Sequence, residues 1–465
     1  MKTNLTLLTW AAPLMLLSAL NSRLSTVLGG PVVTSAAVGA RHILFSEFDG
    51  SLWVMGDNTF GQLGLGQGTA QTNTPVQVIS SGVARVAAGT GYSLFRVGHD
   101  VWAMGANDHG QLGDGTTNNH FFPEKTFSGN VLISATVLAA GDAHSLFGTF
   151  SGAVTTNIGL RVMGNNLAGQ LGDGTYTDHF FPEQVETITG ISSVAAGSYH
   201  SLYVKSDGSL WGMGDNAFGE LGLGSLSHTN MQVQLVSSGV LAVAAGSAHS
   251  LYIKSDGSLW SMGYNFYGQL GNNTTIDQHT PIQVAFNGVT AVAAGTDHSL
   301  YIKSDGSLWG MGANGSGQLG DGTRSDRHLA IQIVASNVVA VAAGGDHSLY
   351  IKSDGSLWGM GANISGELGG TSPSYLTPVQ IVGGTPPPPL LTAIILSQTN
   401  LNLSASGGIF GEVIYTLMGT NLTVPPSQWL PVATNVLNTY GDFAITVTNS
   451  VVPNASQRFF ILQAQ

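Results

Sequence analysis

The sequence predicts an all-β chain: a seven-bladed β-propeller followed by a small β-sandwich-like module. Three observations carry this. First, a unit of 49 residues repeats, with Trp211, Trp260, Trp309 and Trp358 at that spacing, a period that belongs to propellers, solenoids and arrays. Second, each unit holds four short apolar stretches divided by glycine-bearing turns, and four-stranded antiparallel units set around a ring are propeller blades. Third, the unit occurs seven times. A GQLG-like turn begins at Gly61, Gly110, Gly169, Gly219, Gly268, Gly317 and Gly366, and an Ala-Gly pair is followed at fixed offset by His42, Tyr92, His144, His200, His249, His298 and His347.

Taken in order, residues 1–28 open with Lys2 and the apolar run LTLLTWAAPLMLLSAL, with small residues beyond. A basic end, an apolar core and small residues read as a secretory signal, for which Ala19 or a position near Gly29 would serve as the cleavage point. The run is short for a membrane span, so the mature chain is expected to cross no membrane.

Residues 29–384 make the propeller. Its clearest unit is VAAGGDHSLYIKSDGSLWGMGAN at 341–363. HSLYIK and SLWGMG flank a Ser-Asp-Gly in which glycine supplies the positive φ of a tight hairpin. VAVAA-type and PVQIV-type stretches complete the four strands. The chain enters on the first of these (about 32–38) and leaves on the second (378–381), from which the first and last strands are expected to share a blade, closing the ring and removing sheet edges. Blade 2 carries Tyr92 in place of His, and blade 3 has a hairpin about ten residues longer, with Arg161 in place of Trp. Blades 4 to 7 are nearly identical and read as recent duplications. TPPPP at 385–389 is a stiff extended linker. Residues 390–465 lack the repeat, and their alternating apolar runs LTAIILS, EVIYTLMG, WLPVAT, DFAITVT and RFFILQ read as five to six strands.

Composition bounds the function. Glycine makes up 64 of 465 residues, about twice average usage, and the excess falls on repeated turns. A net charge of −12 with 14 Lys plus Arg argues against nucleic acid, which needs a basic patch. With no cysteine, disulfides and thiolate chemistry are excluded. No cofactor is expected, and a monomer is.

Several residues invite a chemical reading. The repeated His42, His144, His200, His249, His298 and His347 could ring a metal, but no second ligand stands at close spacing in any copy, so each is expected to fix its own turn by bonding to backbone. The Asp-His-Ser letters at 297–299 and 346–348 lie consecutively in a strand, where side chains alternate between faces, and a catalytic triad is a matter of geometry; no catalytic residues are assigned. The repeated Trp reads as packing between blades. Strand direction puts the N-x-x-G loop and the Ala-Gly-x-x-His turn on one face, where a fixed frame carries variable positions. These include Phe60, His109, Phe218, Phe266 and Tyr267 on the loops and Arg41, Asp142, Tyr199, Asp297 and Asp346 on the turns. Aromatics and acids on rigid loops suit a binding surface, although drift at solvent positions also varies them. HFFPE recurs at 120–124 and 179–183, and burial beneath the blade 3 hairpin or the C-terminal module is favoured over an exposed contact site.

The motifs AAGxxHS, DGSLWGMG and N-x-x-GQLG, recurring in fixed order over about 32–384, resemble the repeats of the regulator of chromosome condensation family. The resemblance implies a seven-bladed propeller. Eukaryotic members include a guanine nucleotide exchange factor that docks on chromatin, roles that the export signal and acidic balance argue against. A plant branch senses light through tryptophan clusters, but the Trp positions here belong to the LWGMG strand and that role is not carried over. Secreted bacterial relatives include a propeller-type β-lactamase inhibitory protein. The expected function is therefore a secreted, periplasmic or cell-surface non-enzymatic protein of a bacterium that binds a protein or glycan partner through one face. Inhibition of a secreted hydrolase is the alternative, and an exchange-factor-like regulator stands behind it.

Overall fold

The computed structural model describes residues 32–129, 134–150, 159–186 and 190–384, together with six strands between 390 and 464. The expected signal peptide, the long blade 3 hairpin at 151–158 and the proline-rich linker lie outside the described residues.

Twenty-eight strands from Val33 to Val382 form seven four-stranded antiparallel sheets. In the first, β1 (Val33–Val38), β2 (His42–Glu47), β3 (Leu52–Asp57) and β4 (Gln71–Ile79) pair in chain order, and the other six repeat this plan. Blades 2 to 7 span Val83–Phe127, Ser134–Glu186, Ile191–Val236, Val240–Ala285, Val289–Val334 and Val338–Val382. The VAVAA-type strand is innermost and its C-terminal end lines the central channel. The PVQIV-type strand is outermost.

The expectation that the first and last strands share a blade is corrected. β1 pairs with β2 and the last outer strand, Ser374–Val382, pairs with Leu357–Ala362, so every blade is one unbroken stretch of chain. A chain that enters on an innermost strand and leaves on an outermost one completes a whole number of blades, so no strand is left over to share. Closure is by packing and by a backbone bond from Gly345 N to Gly39 O at 3.1 Å. Val33, Phe45 and Met55 of blade 1 meet Leu349, Leu357 and Leu368 of blade 7 in one cluster.

That cluster shows where the core sits. Each apolar layer lies between two neighbouring blades, and one template recurs. Leu300, Leu308 and Leu319 of blade 6 face Val338, Tyr350 and Met360 of blade 7; Leu202, Leu210 and Leu221 of blade 4 face Val240, Tyr252 and Met262 of blade 5. Each such side chain, fully buried, contributes roughly 1.5–3 kcal/mol. The repeated Trp lies on the same strand face as the Tyr and Met, half-buried at the edge of these layers. There Trp260, Trp309 and Trp358 stack on Tyr252, Tyr301 and Tyr350, with Lys254, Lys303 and Lys352 over the indoles at 4.3, 4.3 and 4.5 Å. In blade 3, Arg161 fills the Trp position and lies 5.3 Å from the Phe127 ring centroid.

The C-terminal unit, described by itself, has six strands in two three-stranded antiparallel sheets. One joins Leu390–Ser397, Asn400–Ser406 and Phe443–Val447; the other joins Leu430–Val436, Val413–Gly419 and Phe459–Ala464. The five apolar runs are all strands, and Asn400–Ser406 is the sixth. Among the described residues no helix is long and apolar enough to cross a membrane.

Candidate binding face

One glycine per blade builds the loop face. Gly312, after the Met of SLWGMG, has φ +102°, and a Cβ there would fall 2.5 Å from Asp297 O. The positive φ, costly for any other residue, swings the chain over the neighbouring turn, and Ala313 N donates to Asp297 O at 2.8 Å. The same bond ties loop to turn in the other blades, for instance Asp57 N to Arg41 O and Asp215 N to Tyr199 O, both 2.8 Å. Loop and turn therefore emerge together, as strand direction requires. Inside each loop a buried Asn replaces absent secondary structure. Asn314 Oδ1 accepts from Leu319 N at 3.0 Å and its Nδ2 donates to Asp321 Oδ1 at 2.9 Å.

On this frame the structure brings some of the expected residues together. Phe218 of blade 4 meets Tyr264 of blade 5 edge-on at 5.0 Å, Tyr264 stacks on Phe266 at 6.4 Å, and Phe266 meets Tyr267 edge-on at 5.0 Å. Phe266 is 62% exposed and Phe218 39%. Tyr199 is also exposed, and its carbonyl is tied to the Phe218 loop. Asp297 follows on blade 6, accepting from Gln269 Nε2 at 3.3 Å, and Asp346 on blade 7, accepting from Gln318 Nε2 at 3.4 Å. Burial, then the neighbouring Asp346 charge, pushes the Asp297 carboxyl up to about 6. Burial, then Asp297 and Tyr267, raises the Tyr264 phenol.

The remaining candidates lie elsewhere on the ring. Phe60 is exposed on the blade 1 loop beside Gly91. His109 Nδ1 is 2.7 Å from Asp178 Oδ2, tying the blade 2 loop to blade 3. Arg41 stands by Glu367, whose buried carboxyl is raised by desolvation against the pull of its loop amides and of Arg41. Asp142 faces the channel mouth and accepts from Thr90 Oγ1 at 2.7 Å. Tyr264 falls outside the sequence expectation, which covers the two residues after the loop Asn. The residue before it varies as much: Asp57, Ala106, Asn165, Asp215, Tyr264, Ala313 and Ala362.

The repeated His does something other than fix its own turn. Its backbone carbonyl closes that turn, as in Gly246 N to His249 O at 2.9 Å, while the imidazole crosses to the next blade. His42, His144, His200, His249 and His298 place Nε2 2.8–3.0 Å from Ser93, Ser201, Ser250, Ser299 and Ser348. Each serine hydroxyl donates back to a loop carbonyl of the first blade, as Ser348 does to Gln318 O at 2.8 Å. That direction makes Nε2–H the donor to serine. Tyr92 makes the equivalent link, with its hydroxyl 2.6 Å from His144 O and 3.0 Å from Ser145 Oγ. His347 has no such partner. The matching position on blade 1 is Ile43, and both His347 ring nitrogens lack a hydrogen bond. These His–Ser pairs are fully buried with their hydroxyls committed, which leaves no accessible nucleophile. Among the described residues no group of three His, Cys, Asp or Glu could hold a metal.

The HFFPE segments are corrected in part. Phe121 packs on Gly61 and Phe180 on Gly110 of the preceding blade, but Phe122 and Phe181 remain 67% and 65% exposed. Gly66 and Gly115 of the preceding blades lie against these two rings.

The RCC1-like domain matches residues 159–398, and the Regulator of chromosome condensation (RCC1) repeat matches 49–95 and 99–147, with a further repeat of that type at 33–62. The chain belongs to the RCC1-like family. It is 30% identical over 211 residues to the Ultraviolet-B receptor UVR8 of Arabidopsis thaliana, covering 43% of this chain and 44% of that protein. It is 33% identical over 213 residues to the Probable E3 ubiquitin-protein ligase HERC6 of Homo sapiens, covering 44% of this chain and 20% of that one. The match thus spans less than half the length of these relatives. Among solved structures, yeast RCC1 (Prp20) bound to Kap60 superposes with TM-score 0.62 at 18% identity, covering 79% of this chain and 87% of that one. Human WBSCR16 gives 0.59 at 23%, covering 69% and 87%. These likenesses establish the propeller fold.

Proposed function

We propose that this protein is a non-enzymatic binding propeller that holds a protein partner on its loop face and acts outside the cytosol, secreted or at the cell surface. One observation carries the reading. Phe218, Tyr264, Phe266 and Tyr267 form a continuous aromatic cluster, partly exposed, on loops pinned at both ends. Large aromatics held in place lose little side-chain entropy on binding and dominate interface energetics. Membership of a family whose relatives include a receptor and, through yeast RCC1, a protein crystallised with Kap60 supports binding over catalysis. The export-signal pattern of residues 1–28 supports the location.

The test is affinity capture with the full chain and a variant carrying Phe60→Ser, Phe218→Ser, Phe266→Ser and Tyr267→Ser. Envelope and secreted protein fractions are passed over both. A protein retained by the first and lost by the second is the expected result; equal retention overturns the loop face as the site.

A further inference from the structure

The loop face is not uniform. Its aromatic cluster occupies blades 4 and 5, and the next two turns carry Asp297 and Asp346. The Asp346 charge adds to burial in raising the Asp297 carboxyl. Among the described residues neither forms an ion pair, and Arg41, on the blade 1 turn that follows Asp346 around the ring, acts on Glu367. Each is met by a neutral glutamine amide at the long end of hydrogen-bond range. Arg324 on the blade 6 loop is committed to Gly315 O at 2.6 Å and Ser374 Oγ at 2.8 Å. The blade 6 loop, tied to the Asp297 turn through Ala313 N and to Asp346 through Gln318 Nε2, carries only Gly315 and Ser316, and a Cβ on Gly315 would meet nothing within 4 Å. At the cluster's other end Asp215 is held by His228, with Nδ1 2.6 Å from Oδ1.

Resting on the loop-face reading, we propose that this sector takes an arginine- or lysine-bearing segment of the partner polypeptide, its cation at Asp297 and Asp346 and its aliphatic stem across Phe266 and Tyr264. The chemistry matches on both sides. A cation relieves the mutual repulsion of two carboxylates, and it is attracted to any exposed ring face. A guanidinium also supplies the planar fork that carboxylates accept. The ring geometry separates this from a glycan. Sugar stacking wants an open run of aligned ring faces, whereas only Tyr264 and Phe266 are near parallel, at 10°, with Phe218 at 62° to Tyr264 and Phe266 at 84° to Tyr267. The net charge of −12 adds long-range attraction for a basic partner.

The experiment titrates the full chain with a labelled Gly/Ser peptide carrying two arginines, with the same peptide carrying citrulline, and with a β-glucan oligosaccharide. The arginine peptide is expected to bind about tenfold or more tightly than the citrulline peptide. Asp297→Asn with Asp346→Asn, and separately Phe266→Ser, should each weaken it by a similar factor, while Phe122→Ser on the outer rim leaves it unchanged. Unaltered melting temperatures show that the variants fold. Equal binding of the two peptides, binding of neither, or binding of the oligosaccharide alone overturns the proposal. If the capture experiment still loses its protein in the four-aromatic variant, the loop face stands without the cation; if capture is equal there, the face itself falls.

Discussion

Blades 6 and 7 meet through three layers of contact, and five further junctions follow the same plan. An apolar layer joins Leu300 and Leu319 to Tyr350 and Met360. A staple runs from His298 to Ser348 and back to Gln318 O. At the rim, Gly322 N of the loop donates to Leu376 O of the next outer strand at 2.8 Å. The junction of blade 7 with blade 1 keeps the first layer and loses or alters the other two. Ile43 stands where serine would be and joins the apolar cluster itself, leaving His347 without a partner. The blade 7 loop is one residue shorter after Leu368 than that of blade 6, and among the described residues a side-chain bond, Asn73 Nδ2 to Gly370 O at 3.2 Å, spans the rim. The ring thus closes on apolar packing and a backbone bond beside the channel, Gly345 N to Gly39 O at 3.1 Å, and the polar staples add to these where the repeat has been kept.

The largest expected effect concerns acid. Burial lowers His42, His144 and His298 to about 4, and burial with neighbouring imidazoles lowers His200, His249 and His347 to about 3. The unfolded chain titrates these near 6.5, so their contribution to stability is complete above that pH. It is lost as pH falls, because the unfolded state takes protons that the folded state refuses. Each imidazole gives a slope of about 1.4 kcal/mol per pH unit, and six give about 8. Urea unfolding at stepped pH between neutrality and pH 5 reads the slope directly; a shallow one would mean that the imidazoles charge inside the fold.

Leu300→Ala and Leu349→Ala test whether the apolar layer is equal at the ordinary and closing junctions. Each should cost about 2–5 kcal/mol by denaturant midpoint, and a clearly smaller loss for Leu349 would break the equality. The polar layer should show opposite signs. Ser348→Ala leaves His298 Nε2 and Gln318 O unpaired and should cost about 1–3 kcal/mol, whereas His347→Leu removes an imidazole that is already unpaired and should be neutral or gain about 1 kcal/mol. A loss at His347 equal to that at Ser348 would mean that the closing junction holds a staple after all. The smallest effect is at Asp297. Its raised folded pKa of about 6 penalises the fold above that pH and the penalty is relieved as pH falls toward the unfolded value. Asp297→Asn should therefore stabilise slightly at pH 7.5, by less than about 1 kcal/mol because the site is open to solvent, with the gain fading near pH 4.

The blade number, the four strands per blade and the face carrying the loops were legible because period, turn glycines and strand direction are local properties of the repeat. The His–Ser staple was not. His298 and Ser348 lie in different repeats, and the pair is visible only once neighbouring blades are placed side by side. The ring closure was misread for a different reason: entry on an innermost strand and exit on an outermost one already complete whole blades, so no strand is left to share. The aromatic cluster was half legible: Phe218, Phe266 and Tyr267 stood out as loop residues, but Tyr264, which joins them, occupies a position that reads as the end of a strand.

Because every blade is one continuous segment and Val33 and Val382 share a cluster, the ends of the propeller are close together and the ring has no obligatory starting point. A circular permutant opened at the turn near Gly239, with a short Gly/Ser bridge from Val382 to Val33, would carry the same seven sheets in the order 5-6-7-1-2-3-4. In that molecule the junction with the missing staple would be covalently joined, and the new gap would fall between blades 4 and 5, where the His200–Ser250 staple is intact. The position of the chain break and the weakest seam of the ring, which coincide here, would then be separate properties of the same fold.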